Sequence, residues 1–420
     1  MLYLSYIEVI GKHRICGEID LQGSKNSALP ILAATVICDG ECILHNCPMI
    51  SDVYAAIEIL KEIGCKIKIE GNTVIVDPTT ADKHCISYDL MRKMRSSIIF
   101  LGAMISRFKA ARLSFPGGCE LGPRPIDMHI SALKTLGVSV NEKHGYLDCV
   151  VENAVKGASI HLDFPSVGAT ENIILTTVLS SGTTVIENAA REPEIIDLAN
   201  FLNSCGAKIK GAGESRITII GVKKIFGTEH TVISDRIAAV TYLCCAAVTN
   251  GDVLLNKVDV PFVNPVLQSF ETCGCRVSYD EKRIRLTGTE RLSGVSCIRT
   301  MPYPGFPTDA QPLILSMMTV ANGTSMFVET IFQCRYKFVG ELRKFGADIK
   351  VEGNVAVVKG VNKLYGARVD CTDLRGGAAV LIAALCAQGK SKIYYPEHIY
   401  RGYENLESNL KMLGADISKR

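Results

Sequence analysis

The sequence predicts an α/β protein built from six repeats of about 70 residues, grouped as two three-repeat domains. Three observations lead there. One motif, a helix end followed by glycine and an alternating stretch, returns as LKEIGCKI, LKTLGVSV, LNSCGAKI, FETCGCRV, LRKFGADI and LKMLGADI. Its glycines, Gly64, Gly137, Gly206, Gly274, Gly346 and Gly414, are 73, 69, 68, 72 and 68 residues apart. A second pattern of apolar helix, turn and strand interleaves with it six times. The length of 420 residues leaves about 210 for each set of three, an ordinary domain size.

The elements follow from hydrophobic spacing. In DVYAAIEILKEIG, Val53, Ala56, Ile57, Leu60 and Ile63 fall on one helical face, and KIKIEGNTVIV then alternates as a strand and hairpin. Glycine at the junction suits the left-handed position just past a helix end. The second set reads ALPILAATVICDGECIL, SSIIFLGAMISRFKAARL, ENIILTTVLSSGTTVIE, AAVTYLCCAAVTNGDVLL, AQPLILSMMTVANGTSMFV and GAAVLIAALCAQGKSKIYY. These helices are apolar nearly all round, which places them inside and the amphipathic set outside. The expected division is residues 25–233, carrying the loop around Cys119, and residues 1–24 with 234–420. A first strand at residues 3–10 lies outside the first repeat and is available to complete the last one.

Composition excludes several classes. The apolar fraction is 47% and the net charge +3, with no basic run or arginine-aromatic cluster to suggest nucleic acid. No stretch approaches the ~20 apolar residues of a membrane span. The N-terminal segment has no basic region followed by an apolar core, so no signal peptide is expected and the chain is read as cytoplasmic. The seventeen cysteines include no C-x-x-C pair and no histidines at zinc spacing, so neither a metal nor a disulfide framework is expected. About fifteen of them are read as small buried hydrophobes, with Cys273 and Cys275 in a strand region. Cys119 stands apart, in the Gly/Pro-rich loop FPGGCELGPRPID.

The inner helices begin after GSKNSALP, KMRSSI, SVGATEN, SDRIAAV, FPTDAQ and TDLRGGAA. Lys25, Arg95, Arg236 and Arg375 stand at these starts among Ser, Thr and Asp caps. Helix N-termini already attract anions, and added Lys and Arg side chains strengthen that bias. GxxxxGK[ST] is absent, which removes ordinary P-loop chemistry. Asp309 in FPTDAQ and Asp373 in TDLRGG read alone as helix caps; beside a cationic cleft they are general-base candidates.

SKNSALPILAA, MRSSI, PGGCELGPRPIDMHI, NAAREPEIIDLANFL, FPTDAQ, TDLRGGAA and EHIYRGYE together resemble the UDP-N-acetylglucosamine 1-carboxyvinyltransferase family, in order and along essentially the whole chain. The resemblance implies an inverted α/β, barrel-like enolpyruvyl transferase fold with the active site in the cleft between two domains. It implies transfer of enolpyruvate from phosphoenolpyruvate to the 3-hydroxyl of UDP-N-acetylglucosamine with release of phosphate, without metal or organic cofactor. The sister family that makes enolpyruvyl-shikimate phosphate shares the architecture but lacks the PGGC loop. By motif match, Cys119 is the proton donor and Asp309 the base. Lys25, Arg124 and Arg401 bind phosphoenolpyruvate, Arg335 and Arg375 complete the cationic wall, and Asp373 supports it. Asn26, Arg95, Arg124, Pro125, Asp127, Ser166, Gly168, Asp309 and Ile331 hold the sugar nucleotide. The chain departs from the family pattern at Phe164-Pro165, Ala238 and Tyr400, where a lysine and two acidic residues are common. The alternatives are a non-catalytic UDP-sugar-binding paralogue and transfer to another acceptor.

Overall fold

The computed structural model describes residues 5–115 and 126–420. Among them the chain divides into two compact units, residues 5–22 with 234–420, and residues 23–115 with 126–233.

Each unit is built on three apolar helices. In one they are Arg236–Val248, Gln311–Met318 and Leu374–Cys386, which pack on one another. In the other, Phe100–Phe108 packs against both Lys25–Thr35 and Val167–Thr177. These helices are buried on nearly every face, as their all-round apolarity requires. The Arg95 helix starts later than its sequence suggests, because Arg95–Ile99 forms a 3-10 turn before Phe100. The amphipathic helices Ser51–Ile63 and Pro193–Ser204 both pack on helix Lys25–Thr35, and each touches a strand, Lys66–Glu70 and Lys208–Lys210 respectively. All six repeat glycines have positive φ, from 86° at Gly137 to 106° at Gly64. There a β-carbon would meet the following carbonyl, so the helix end and the turn into the strand depend on glycine.

Each unit carries three sheets. In the sheet ordered Ser159–His161, Thr183–Glu187, Arg216–Ile220, Lys208–Lys210, the first pair is parallel and the others antiparallel. Helix Val167–Thr177 connects the parallel pair, giving a β-α-β unit with a hairpin appended. The pattern recurs, with three informative departures. The strand before helix Lys25–Thr35, Cys16–Asp20, does not join that helix's unit but pairs with Asp252–Asn256 in its own, while Glu229–Thr231 returns to pair with Cys42–His45. In the last repeat the N-terminal strand Tyr6–Ile10 lies antiparallel to both Lys390–Tyr394 and Asp416–Lys419. In the Ala110–Ser114 sheet the parallel partner shrinks to a single bridge, Cys85 to Arg112.

The cysteines are more varied than their composition suggests. Twelve of the sixteen described are buried, but Cys16, Cys85 and Cys297 are exposed and Cys334 is half-buried. Cys273 and Cys275 flank the turn at Gly274, ahead of the strand Arg276–Tyr279. No helix among the described residues is long and apolar enough to cross a membrane.

Candidate functional site

Asp309 is the centre of the cationic group in the unit containing residues 234–420. Its Oδ1 accepts from Arg335 Nη2 at 2.5 Å and its Oδ2 from Arg375 Nε at 3.1 Å. The two arginine side chains are 1% and 3% exposed, whereas the Asp309 carboxylate is 28% exposed. Two buried cations thus grip a carboxylate that still has an accessible edge. Arg335 also donates Nε to the Thr308 carbonyl at 3.1 Å, and its guanidinium lies 5.2 Å from the Phe332 ring centroid.

Arg375 is held from the other side by Tyr403, whose hydroxyl accepts from Nη1 at 3.2 Å and meets Thr241 Oγ1 at 2.8 Å. Burial opposes the Arg375 charge, but Tyr403, Asp309 and Asp235 outweigh it and move its pKa upward. The Tyr403 hydroxyl is itself pushed up by burial, with Arg375 pulling the other way. The Arg335 and Arg375 guanidinium groups both lie in a low-dielectric setting, where positive charge acts strongly on an anion.

The two aspartates have different positions. Asp373 Oδ1 accepts from the backbone N–H of Arg375 and of Gly376, each at 3.0 Å, and caps helix Leu374–Cys386. Asp309 is not at the N-cap position of the helix that follows it. Its helix starts at Gln311 after Ala310 and has no side-chain cap. Arg401 follows the short helix Glu397–Tyr400, two residues before Tyr403, and is half-buried. Tyr400, one of the departures, donates its hydroxyl to Glu407. Ala238 lies in the first turn of helix Arg236–Val248, where its N–H and that of Ile237 donate to Asp235 at 2.9 Å. Arg236, beside this cap, lies 5.7 Å from the Tyr303 ring centroid.

In the other unit Lys25 opens helix Lys25–Thr35, and its Nζ lies 2.6 Å from Asp52 Oδ2, with both side chains at most 10% exposed. Asn26 follows it, half-buried. Ser166 caps helix Val167–Thr177, its Oγ accepting from Ala169 N–H at 3.3 Å. Asp127 begins helix Asp127–Thr135, which packs on that same helix. The join is polar: Asn172 Nδ2 lies 2.9 Å from His129 Nδ1 and donates to the Ile98 carbonyl at 3.2 Å. A β-carbon at Gly168 would come within 3.2 Å of the His129 ring, so glycine there lets the imidazole lie against the helix start. Ser166, Gly168 and Asp127 are thereby brought onto one pair of packed helices. Phe164 of the departing Phe164-Pro165 pair is exposed, and its carbonyl accepts from Ser166 N–H at 2.7 Å.

Cys119, Arg124 and Pro125 lie outside the described residues, and the Arg95 side chain is not described. Among the described residues no group of three or more His, Cys, Asp or Glu side chains is placed to hold a metal ion. The structure adds Asp52, Tyr403, Thr308 and Glu329, which contact the expected site residues or their segments. Asp52 reads in sequence as the start of an outer helix, and nothing in its neighbours marks Lys25 as its partner. Tyr403 carried a weak signal, since it lies inside EHIYRGYE.

A family profile described as EPSP synthase (3-phosphoshikimate 1-carboxyvinyltransferase) matches residues 9–410. UDP-N-acetylglucosamine 1-carboxyvinyltransferase 2 of Caldanaerobacter subterraneus subsp. tengcongensis is 51% identical over 410 residues, covering 98% of each chain. UDP-N-acetylglucosamine 1-carboxyvinyltransferase 1 of Symbiobacterium thermophilum is 45% identical over 98% of this chain and 94% of the relative. Among solved structures, the enolpyruvyl transferase NikO from Streptomyces tendae superposes with a TM-score of 0.91 at 25% identity, covering 99% of both chains.

Proposed function

The chain belongs to the UDP-N-acetylglucosamine 1-carboxyvinyltransferases, within the EPSP synthase family, and from that premise we propose that it transfers enolpyruvate from phosphoenolpyruvate to the 3-hydroxyl of UDP-N-acetylglucosamine, the first committed step of peptidoglycan precursor synthesis. The observation that carries this reading is Asp309, partly exposed and gripped by two buried arginines, in a chain matched end to end by relatives of that name. Because both substrates are soluble anions of the cell interior, we place the enzyme in the cytoplasm.

The reaction is an addition followed by an elimination. Asp309 takes the proton of the sugar hydroxyl as its oxygen attacks C2 of phosphoenolpyruvate, and the Cys119 thiol delivers a proton to C3, making a tetrahedral phospho-ketal. A methyl proton and the phosphate then leave, restoring the double bond. Phosphoenolpyruvate carries about three negative charges, so catalysis depends on fixed cations where charge shifts. Arg335 and Arg375 supply two, immobilised by Asp309, Thr308 and Tyr403. Lys25, Arg124 and Arg401 are assigned to its phosphate and carboxylate, a task that suits bidentate arginine. Asp52 holds the Lys25 ammonium in place.

Asn26, Arg95, Asp127, Ser166, Gly168 and Ile331 are assigned to the sugar nucleotide, with Pro125 in the same loop as Arg124. The Val167–Thr177 helix start offers backbone N–H groups of the kind that bind phosphates. Asp373 serves indirectly, by fixing the first turn of the helix that carries Arg375. Cys119 is assigned as proton donor from the Gly/Pro-rich stretch FPGGCELGPRPID.

Incubation with phosphoenolpyruvate and UDP-N-acetylglucosamine tests the proposal. One phosphate released per enolpyruvyl sugar nucleotide formed is expected. Binding of the sugar nucleotide without turnover points to a sensor instead, and preference for a non-UDP acceptor to a different transferase.

A further inference from the structure

One buried carboxylate ties together the segments that carry Asp309 and Arg335. Glu329 follows the strand Thr324–Val328 and is 2% exposed. Its Oε1 accepts from the N–H groups of Ile331 at 2.8 Å and Phe332 at 3.0 Å, while Oε2 accepts from the Thr308 hydroxyl at 3.0 Å. Its own N–H donates to the Asn354 carbonyl at 2.8 Å, so the side chain projects from a fixed strand end.

The bonds close a circuit. Thr308, held through its hydroxyl by Glu329, offers its carbonyl to Arg335 Nε at 3.1 Å, and Arg335 in turn grips Asp309, the next residue along. Thr330 pins the same turn to Thr300 with bonds of 2.9 and 2.6 Å. A surface charge has no need of such an arrangement. Here a buried carboxylate has its oxygens occupied by three donors from two separate segments, which is how a supporting shell fixes the geometry of a site.

We propose that Glu329 is a positioning residue for the transfer: it sets the Thr308–Asp309 segment against the Ile331–Arg335 segment, so that base, cation and sugar-nucleotide contact share one geometry. The inference rests on the activity proposed above. Glu329 touches neither substrate in this role. Its two oxygens have separable jobs, Oε2 toward the base and Oε1 toward the Ile331 contact.

Three variants separate those jobs. Glu329→Ala releases both segments, and kcat is expected to fall by up to about a hundredfold, the scale of a small misplacement of reacting groups, with a raised KM for UDP-N-acetylglucosamine. Glu329→Gln keeps an oxygen for the Ile331 and Phe332 amides and an amide that can donate to Thr308, so KM should recover. Thr308→Val cuts only the link on the Asp309 side and should lower kcat with little change in KM. Folded Glu329→Ala with kcat and KM within about twofold of wild type overturns the proposal, as does equal damage to KM in the Ala and Gln variants. Amide hydrogen exchange gives a readout independent of turnover. Ile331 and Phe332 should be protected in wild type and exposed in Glu329→Ala, and unchanged protection also overturns the proposal. Failure of wild-type turnover would count against the activity itself, while exchange and sugar-nucleotide affinity in the variants would still decide the role of Glu329.

Discussion

Asp309 and Asp373 sit in nearly the same local sequence, Thr-Asp ahead of an apolar helix, yet they do different work. The difference is one of register. At Asp373 the carboxylate reaches the amides two and three residues on, whereas at Asp309 the helix begins later and the carboxylate is left for Arg335 and Arg375. Asp309→Asn should therefore lower kcat by about 10²–10⁴-fold, the usual contribution of a general acid or base. Steady-state kinetics check this, and a loss smaller than tenfold argues against Asp309 as the base. Asp373→Asn, which keeps a capping oxygen, should cost far less. Thiol chemistry divides in the same way. Burial pushes Cys65, Cys149, Cys273 and Cys386 up to about 12 and Cys275 to about 11, which leaves them as unreactive thiols near neutral pH. An epoxide phosphonate of the fosfomycin type should label Cys119 ahead of the exposed Cys16, Cys85 and Cys297, since of these four only Cys119 is assigned beside an anion-binding group. Peptide mapping that finds equal labelling of those three contradicts the assignment.

Elements were legible where one periodicity dominates. The six glycine-closed helices and the six apolar helices read directly from spacing, because each buries a face that only one register can supply. The start of the Phe100–Phe108 helix was less legible, since a 3-10 turn and an α-helix share the sequence MRSSI. Side chains that act across long sequence gaps were not legible at all. Asp52 for Lys25 and Glu329 for Thr308 are set by how helices and strand ends pack, and no local pattern encodes either pair. Within helix Val167–Thr177, Glu171 gives a test of the buried interior. Burial first, then the charges of Glu194 and Glu192, drive its carboxyl well above 4.5. The folded chain keeps a proton that the unfolded chain releases, so the stability from this group is complete below about pH 4 and is lost as pH rises toward the folded value. Glu171→Gln should thus be nearly neutral at about pH 4 and increasingly stabilising toward pH 8, a widening Tm difference by calorimetry. A difference that stays constant with pH contradicts the buried-acid reading.

At the scale of the molecule, the repeats do not simply follow one another. Cys16–Asp20 and Glu229–Thr231 each pair with a strand far off in sequence, and Tyr6–Ile10 takes the place that a hairpin strand fills in the other repeats. Repeat spacing reveals the number of units and leaves a first strand over for the last repeat, but not the pairing of Cys16–Asp20 and Glu229–Thr231, because a parallel edge strand of three to five residues carries little pattern of its own. Among the described residues the chain changes unit at residues 22–23 and 233–234, close in sequence to Lys25 and Arg236. The central claim is that this chain moves enolpyruvate by addition and elimination, with a proton added to carbon and another removed. The direct measurement is turnover of phosphoenolpyruvate and UDP-N-acetylglucosamine in deuterated water, followed by mass spectrometry. Deuterium in the vinyl methylene of the enolpyruvyl sugar nucleotide, with one phosphate released per product, is the result expected. Product without deuterium, or no transfer to the sugar nucleotide, would contradict the claim.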